Sequence, residues 1–197
     1  MRLFAGPRNL SLPASVFHRR LRQDESGATA IEFAMVIGPF LGLLFAVMEV
    51  ALVYFAQFSL ENANETASRL IRTGKVQTLH MTAGQFRQKV CNSLPAFMTC
   101  DKSLIVDVRS HPTFAEAAAD LPSPLAADGS FNAGFQAAFT PGGPSQVVVV
   151  TLFYDWRLFI GLPGLGDFTG KLGLGVGNMP DGSRLITAGF ASKTEPY

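Results

Sequence analysis

The chain has 197 residues, of which 48% are hydrophobic and 16% charged, and its formal net charge is +1. Such a balance offers no strongly basic surface, which argues against a nucleic-acid partner. The three histidines are scattered, and neither HExxH nor GxSxG occurs. Because these patterns carry much of metal and acyl-transfer chemistry, we predict that the protein is not an enzyme and that it needs no cofactor or metal.

Residues 1–27 form a basic leader. Two acidic residues and five arginines lie in it, and the next basic residue in the chain is Arg69. The arginines are Arg2, Arg8, Arg19, Arg20 and Arg22. Because positive residues beside a membrane span stay on the cytoplasmic side, we predict that residues 1–27 are cytoplasmic.

An apolar run from Phe33 to Ala56 follows, and Glu49 is its only charged residue. As a helix it would be about 36 Å long, enough for a hydrocarbon core of about 30 Å. It exceeds the apolar region of a cleaved signal peptide, so we predict a single-pass inner-membrane anchor with the rest of the chain in the periplasm. Glu32 lies near the cytoplasmic edge. Glu49 either snorkels or is protonated, or it pairs with another subunit.

The helix is predicted to continue beyond the membrane. Apolar residues recur there at spacings of three and four, at Val53, Ala56, Leu60, Ala63, Ala67 and Leu70. Gly74 is a suitable helix end, so residues 28–74 are predicted to be one transmembrane and stalk helix. Its polar face carries Glu61, Asn62, Glu65 and Ser68. The stripe packs either on its own domain or on neighbouring subunits.

Residues 75–197 are predicted to form one periplasmic or extracellular domain of the α+β class. Thr82 to Gln85 fits a capping box for a short helix, and the alanine-rich residues 114–120 are predicted to make a short helical turn. Strands are predicted at 104–109, with alternating apolar and polar residues, at 146–155, as the central strand, and at 184–190. These elements give a small antiparallel sheet that leans on the stalk helix, with a short helix and long Gly/Pro-rich loops.

Two segments rich in glycine and proline are predicted to be loops. Residues 121–144 show no clear period and are interpreted as loop with helical pieces. Residues 161–178 are glycine-rich, but they contain no GxxxxGK[ST], and no GxGxxG opens a helix after a strand. We therefore expect no phosphate site there.

The cysteines Cys91 and Cys100 are the only two in the chain. Both follow the predicted span, in a compartment where disulfides persist, and we predict that they pair. The closed loop is short, so the bond should stabilise the domain by only about 2–3 kcal/mol. A zinc site that includes His80 or His111 is the alternative, without any paired-ligand spacing to support it.

The segment from Ser26 to Phe33, Ser-Gly-Ala-Thr-Ala-Ile-Glu-Phe, resembles the processing site of type IV prepilin-like proteins. Within that group the chain is similar to the TadE-like pseudopilins of tight-adherence (Tad) pili. Further likeness lies in Met48–Tyr54, in Ala67–Gly74 and in the closing Glu-Pro-Tyr. The resemblance is strong over residues 20–75 and diffuse beyond them.

The resemblance implies a minor pilin or an assembly protein, because the domain exceeds what a small major pilin carries. A prepilin peptidase would cut between Gly27 and Ala28, and Glu32 would neutralise the Ala28 amine of an adjoining subunit. Phe33 and Glu49 are assigned to subunit pairing as well. The implied partners are other pilins, the pilus assembly platform, the peptidase and the inner membrane. A membrane-anchored periplasmic binding module and an envelope enzyme are the alternative functions.

Overall fold

The computed structural model describes residues 27–126, 128–130, 132, 134–158 and 177–197. The predictions for residues 1–26 and for the glycine-rich residues 161–176 lie outside this part. The chain divides into two compact units between Phe45 and Ala46. The helix α1, Ala28–Arg72, passes through both of them and contains Pro39.

The helix α1 ends at Arg72, two residues before the predicted end at Gly74. Arg69 and Arg72 lie in its last turn, where positive charge favours the carboxyl end of a helix. The amide of Gly74 donates to the Ile71 carbonyl at 3.0 Å, and Gly74 has a φ of +70°. A side chain is strained in this left-handed conformation, and a Cβ here would also lie 2.3 Å from the Tyr197 ring. The short helix α2, Lys75–Thr78, follows.

The second unit contains a three-stranded antiparallel sheet in the order β1-β2-β3. Its strands are β1, Leu104–His111; β2, Val147–Trp156; and β3, Arg184–Lys193. Val108 pairs with Val150, and Leu152 pairs with Ala188. The central strand is β2, as predicted, and it is the strand richest in β-branched and aromatic residues. Such residues suit this position because both faces of β2 are buried.

One face of α1 packs on this sheet. The buried residues of the seam are Val53, Ala56, Leu60, Ala63, Ala67 and Ile71. They form one core with β2 and β3, in which Leu152 and Ile186 are almost fully buried. Alanine at three seam positions lets the helix backbone approach the strands closely. The α+β architecture is confirmed, and within one chain the stripe packs on its own domain.

Two details of the predicted stripe were wrong. Leu70 is only partly buried and Ile71 is buried in its place, while Ser68 is buried rather than part of the polar face. Asn64 explains the second error. Its Nδ2 donates to the carbonyls of Ala188 at 2.8 Å and Val150 at 3.2 Å, and the Ser68 hydroxyl donates to its Oδ1 at 3.1 Å. A polar pair therefore lies inside the seam.

The helix α3, Ala83–Ser93, begins with the predicted capping box between Thr82 and Gln85. Cys91 and Cys100 are joined by a disulfide, with 5.8 Å between their Cα atoms. Arg87 of α3 donates to the backbone carbonyls of Cys100 and Asp101. The loop that leads into β1 is thus tied to α3 by a covalent bond and by a charged side chain.

The helix α4, Phe114–Ala119, confirms the predicted helical turn. Among the described residues of 121–144 the structure has loop only, without the predicted helical pieces. This loop reaches β1, because Phe139 forms an isolated parallel bridge with Val108. The alternation of β1 also places Asp107 among the polar residues, yet Asp107 is only 1% exposed. Its Oδ1 accepts from the Ala138 amide at 2.7 Å, so the loop covers it.

Candidate functional site: the apolar helix

The predicted processing site lies at the start of α1. Gly27 is exposed and immediately precedes the first helical residue, Ala28. Apart from Gly27 and its chain neighbours, no described residue has an atom within 4 Å of a Cβ built on Gly27. Glu32 and Phe33 lie one turn further and are exposed, Phe33 by 65%. The three residues are therefore open to other molecules.

Glu49 is different, because it is only 4% exposed. It belongs to the second compact unit, residues 46–197, in which Val53 and Ala56 follow it on the buried face of the helix. Its carboxylate is therefore covered by its own chain. Pairing of Glu49 with another subunit would require this packing to open.

The first part of α1 presents apolar side chains to the outside in every direction. Large hydrophobic residues are exposed along it, among them Met35, Val36, Leu43 and Val47, each by more than 60%. The helix is long and apolar enough to cross a membrane, by its length and composition. From Ala28 to Met48 it would be about 31 Å long, close to the thickness of the hydrocarbon core. The predicted span, Phe33 to Ala56, therefore overlaps the packed part of the helix.

Residues 49–58 of α1 have two unlike faces. Glu49, Val53 and Ala56 are buried on one face. Tyr54, Phe55 and Phe58 are exposed on the other by 72%, 52% and 67%. The periodicity of the apolar residues predicts the buried face, but it does not predict the exposed aromatic face. Its signal in the sequence is the lack of charged residues: between Glu32 and Glu61 there is only Glu49, and Glu49 lies on the buried face.

A polar network lies at β1 and α4. Arg109 contacts Asp107 at 2.9 Å and Asp120 at 3.0 Å, and His111 lies 3.7 Å from Asp120. Burial lowers the pKa of Arg109, but the hydrogen bonds and charges of the two aspartates more than offset this, and the pKa is raised. Arg109 thus stays charged and tied to the aspartates. The network joins β1 to Asp120 at the end of α4.

Other ionisable groups have structural explanations. Burial raises the pKa of Tyr154, whose hydroxyl donates to the Thr99 carbonyl at 3.1 Å. The backbone amide and hydroxyl of Ser183 donate to Asp181 and lower its pKa. Within the described ranges, no group of three or more His, Cys, Asp or Glu residues could hold a metal ion. His80 is exposed, and Cys91 and Cys100 are occupied by their bond, so the zinc alternative gains no support.

These features define a class of protein: an apolar helix that is long enough to cross a membrane continues into a small α+β domain and packs on its sheet. Residues 27–69 match the family model described as TadE-like protein. The match confirms the resemblance predicted from the sequence, and it covers Gly27, Ala28, Glu32, Phe33 and Glu49. No curated protein and no solved structure matches the chain. The three strands lie beyond the matched segment.

Proposed function

We propose that the protein is a minor pilin or an assembly factor of a Tad-type pilus, and that it acts by helix packing rather than by catalysis. The observation that carries this proposal is the TadE-like match over residues 27–69, which coincides with the apolar helix and its start. The TadE-like family points to a Tad pilus-related protein. In this proposal α1 anchors the chain in the inner membrane, with residues 1–27 in the cytoplasm and the domain in the periplasm.

The processing step follows from the position of Gly27. An exposed glycine directly before a helix leaves its backbone accessible to a membrane peptidase. A cut between Gly27 and Ala28 removes all five leader arginines, so the apolar helix becomes the mature N-terminus. A subunit without this basic leader can leave the bilayer and pack its helix against other pilins.

The pairing step involves Glu32 and Phe33. A carboxylate in the membrane costs at least about 2.5–3.5 kcal/mol unless it is paired or near the interface. The cut creates a positive amine on Ala28. The exposed carboxylate of Glu32 can neutralise the Ala28 amine of an adjoining subunit. Phe33 would pack on the same neighbour. We propose these two residues for the pairing, because both are exposed whereas Glu49 is only 4% exposed.

The intact mass and N-terminal sequence of the protein from membranes test the maturation, in strains with and without the prepilin peptidase. The expected result is a start at Ala28 that depends on the peptidase. Gly27→Ala should prevent it, whereas the matched control Gly38→Ala should not, since a Cβ meets no atom within 4 Å at either glycine. A leader retained in every strain would contradict the proposed maturation and favour a permanently anchored binding module.

Glu32→Ala tests the assembly role. We expect normal membrane insertion and fewer pili, counted by electron microscopy of sheared filaments. Glu61→Ala is the control, because Glu61 is an exposed carboxylate on the same helix. Normal piliation with Glu32→Ala would contradict the pairing of Glu32 with the Ala28 amine.

A further inference from the structure

Four exposed aromatic residues lie at one end of the second unit, and together we call them the aromatic rim. Its members are Tyr54, Phe55 and Phe58 of α1 and Phe97 of the loop between α3 and β1. We propose that the aromatic rim lies in the boundary between headgroups and acyl chains of the lipid bilayer, so that the domain rests on the membrane. This inference depends on the proposed membrane anchoring by α1.

Phe97 extends the rim from the helix to the rest of the domain. Its ring centroid lies 5.4 Å from that of Phe55 and 6.1 Å from that of Trp156, which it meets edge to face. The neighbouring Met98 is buried and donates its amide to the Pro95 carbonyl at 2.9 Å. Phe97 is nevertheless 48% exposed. Phe97 thus adds exposed apolar surface beside Phe55 of the helix.

The rim lies at the end of the sheet where α1 begins its contact with the domain. Gln57 Nε2 donates to the Thr187 carbonyl at 3.0 Å, whereas at the other end of α1 the backbone carbonyl of Arg72 accepts from the Glu195 amide at 2.9 Å. β3 therefore runs in the same direction as α1. Because β2 is antiparallel to β3, Trp156 lies at the same end as Gln57.

The chemistry of the surface favours lipid. On α1 the exposed face is free of charged side chains from Phe33 to Ser59, and Glu61 is the first exposed charge after them. Phe58 and Glu61 are separated by about 4.5 Å of helix rise, so the change from apolar to charged is abrupt. Aromatic rings, and tyrosine with its hydroxyl above all, are enriched at the level of the headgroups.

A second copy of the chain is the other conceivable occupant. The rim continues the surface of Val47, Met48 and Val50, which are exposed by 63%, 50% and 38%. Before these residues apolar side chains are exposed around the whole helix, and a bilayer covers all directions whereas one partner covers a single side. We therefore assign the lipid bilayer, which surrounds the apolar part of α1, as the partner of the aromatic rim.

Trp156 provides the measurement, because it is the only tryptophan and contacts the rim through Phe97. The full chain is reconstituted in phosphatidylcholine vesicles whose acyl chains carry bromine either near the headgroup or near the chain end. Bromine quenches indole fluorescence at short range. We expect at least twofold stronger quenching by the shallow bromine than by the deep bromine.

Tyr54→Ser combined with Phe58→Ser should reduce the quenching by shallow bromine at least twofold. Phe114→Ser is the matched control, since Phe114 is 56% exposed and follows β1 at the opposite end of the sheet. Quenching that is absent, or unaltered by the double substitution, would overturn the inference. So would efficient oxidative cross-linking of Phe58→Cys between copies without quenching, which would assign the rim to a contact between subunits.

Carbonate extraction of the same vesicles distinguishes a failure of the proposed anchoring by α1 from a failure of the proposed contact between the aromatic rim and the bilayer. If the chain is released, the proposed anchoring by α1 has failed. If the chain is retained but Trp156 is not quenched, only the seating of the domain on the bilayer is overturned. We expect retention of every variant, because none of the substitutions lies between Ala28 and Met48.

Discussion

Asn64→Asp should test how the helix is joined to the sheet, because it exchanges one side-chain group for another of almost the same shape. Asn64 is 1% exposed, and its Nδ2 donates to the carbonyls of Ala188 and Val150. Aspartate retains an acceptor for the Ser68 hydroxyl but directs its second oxygen at two carbonyl oxygens. Burial and these dipoles both disfavour the charged form, so the pKa of the introduced carboxyl is expected to rise.

The size of the effect follows from the burial. Full burial raises a carboxyl pKa by as much as about 3–5 pH units, and each unit corresponds to about 1.4 kcal/mol. The charged form would therefore destabilise the domain by about 4–7 kcal/mol, a large part of a typical total of about 5–15 kcal/mol. The folded state binds the proton more tightly than the unfolded state. The penalty is thus small near pH 4 and grows as pH rises toward the raised pKa of the folded state.

Urea unfolding of the full chain in detergent micelles, followed by Trp156 fluorescence from pH 4.5 to pH 8, measures this effect. Asn62→Asp is the matched control, since Asn62 is exposed two residues away on the same helix. We expect Asn64→Asp to lose stability steadily as pH rises, relative to the control. Equal unfolding midpoints for the two variants across the whole range would refute the reasoning.

Three further predictions concern local features, and the first of them has a matched control. Gly74→Ala should destabilise the domain by at least about 1–2 kcal/mol because it forces a left-handed φ on alanine. Gly84→Ala, in open space within α3, should be neutral or stabilising. Thermal melts of both variants measure this, and an equal loss of stability in the two would contradict this account. Cys91→Ser should lower the free energy of unfolding by about 2–3 kcal/mol and leave carbonate extraction unchanged; an unchanged melting temperature would argue against a stabilising disulfide. Ser183→Ala should raise the pKa of Asp181 toward its ordinary value in NMR titrations, and an unaltered pKa would exclude the hydroxyl as a cause.

Much of the fold was predictable because its signals are local. The capping box at Thr82 needs only residues within one turn, and the end of α1 just before Gly74 needs only a residue that tolerates a positive φ. The order of the sheet was predictable for a similar reason. The segment from Val147 onward is apolar at successive positions, and only a central strand buries both of its faces.

Burial of polar residues was not predictable in the same way. Asp107 alternates with valines as an exposed residue would, yet the Ala138 amide, 31 residues away, covers it. Asn64 has the same polar character as exposed Asn62, but the carbonyls that accept its hydrogen bonds lie on β2 and β3. Periodicity specifies which direction a side chain faces, and it contains no information on a distant partner that makes burial of a polar group favourable.

The sequence by itself determined the apolar helix, its start at a Gly-Ala pair after a basic leader, the likeness to TadE-like proteins and the class of the domain. These depend on composition and on spacing along one helix. Only the tertiary structure decided where the helix stops being uniformly exposed and begins to pack on the sheet. It covers Glu49, brings Phe97 beside Phe55 and leaves an aromatic face opposite the seam, because these contacts join segments that are far apart in the chain.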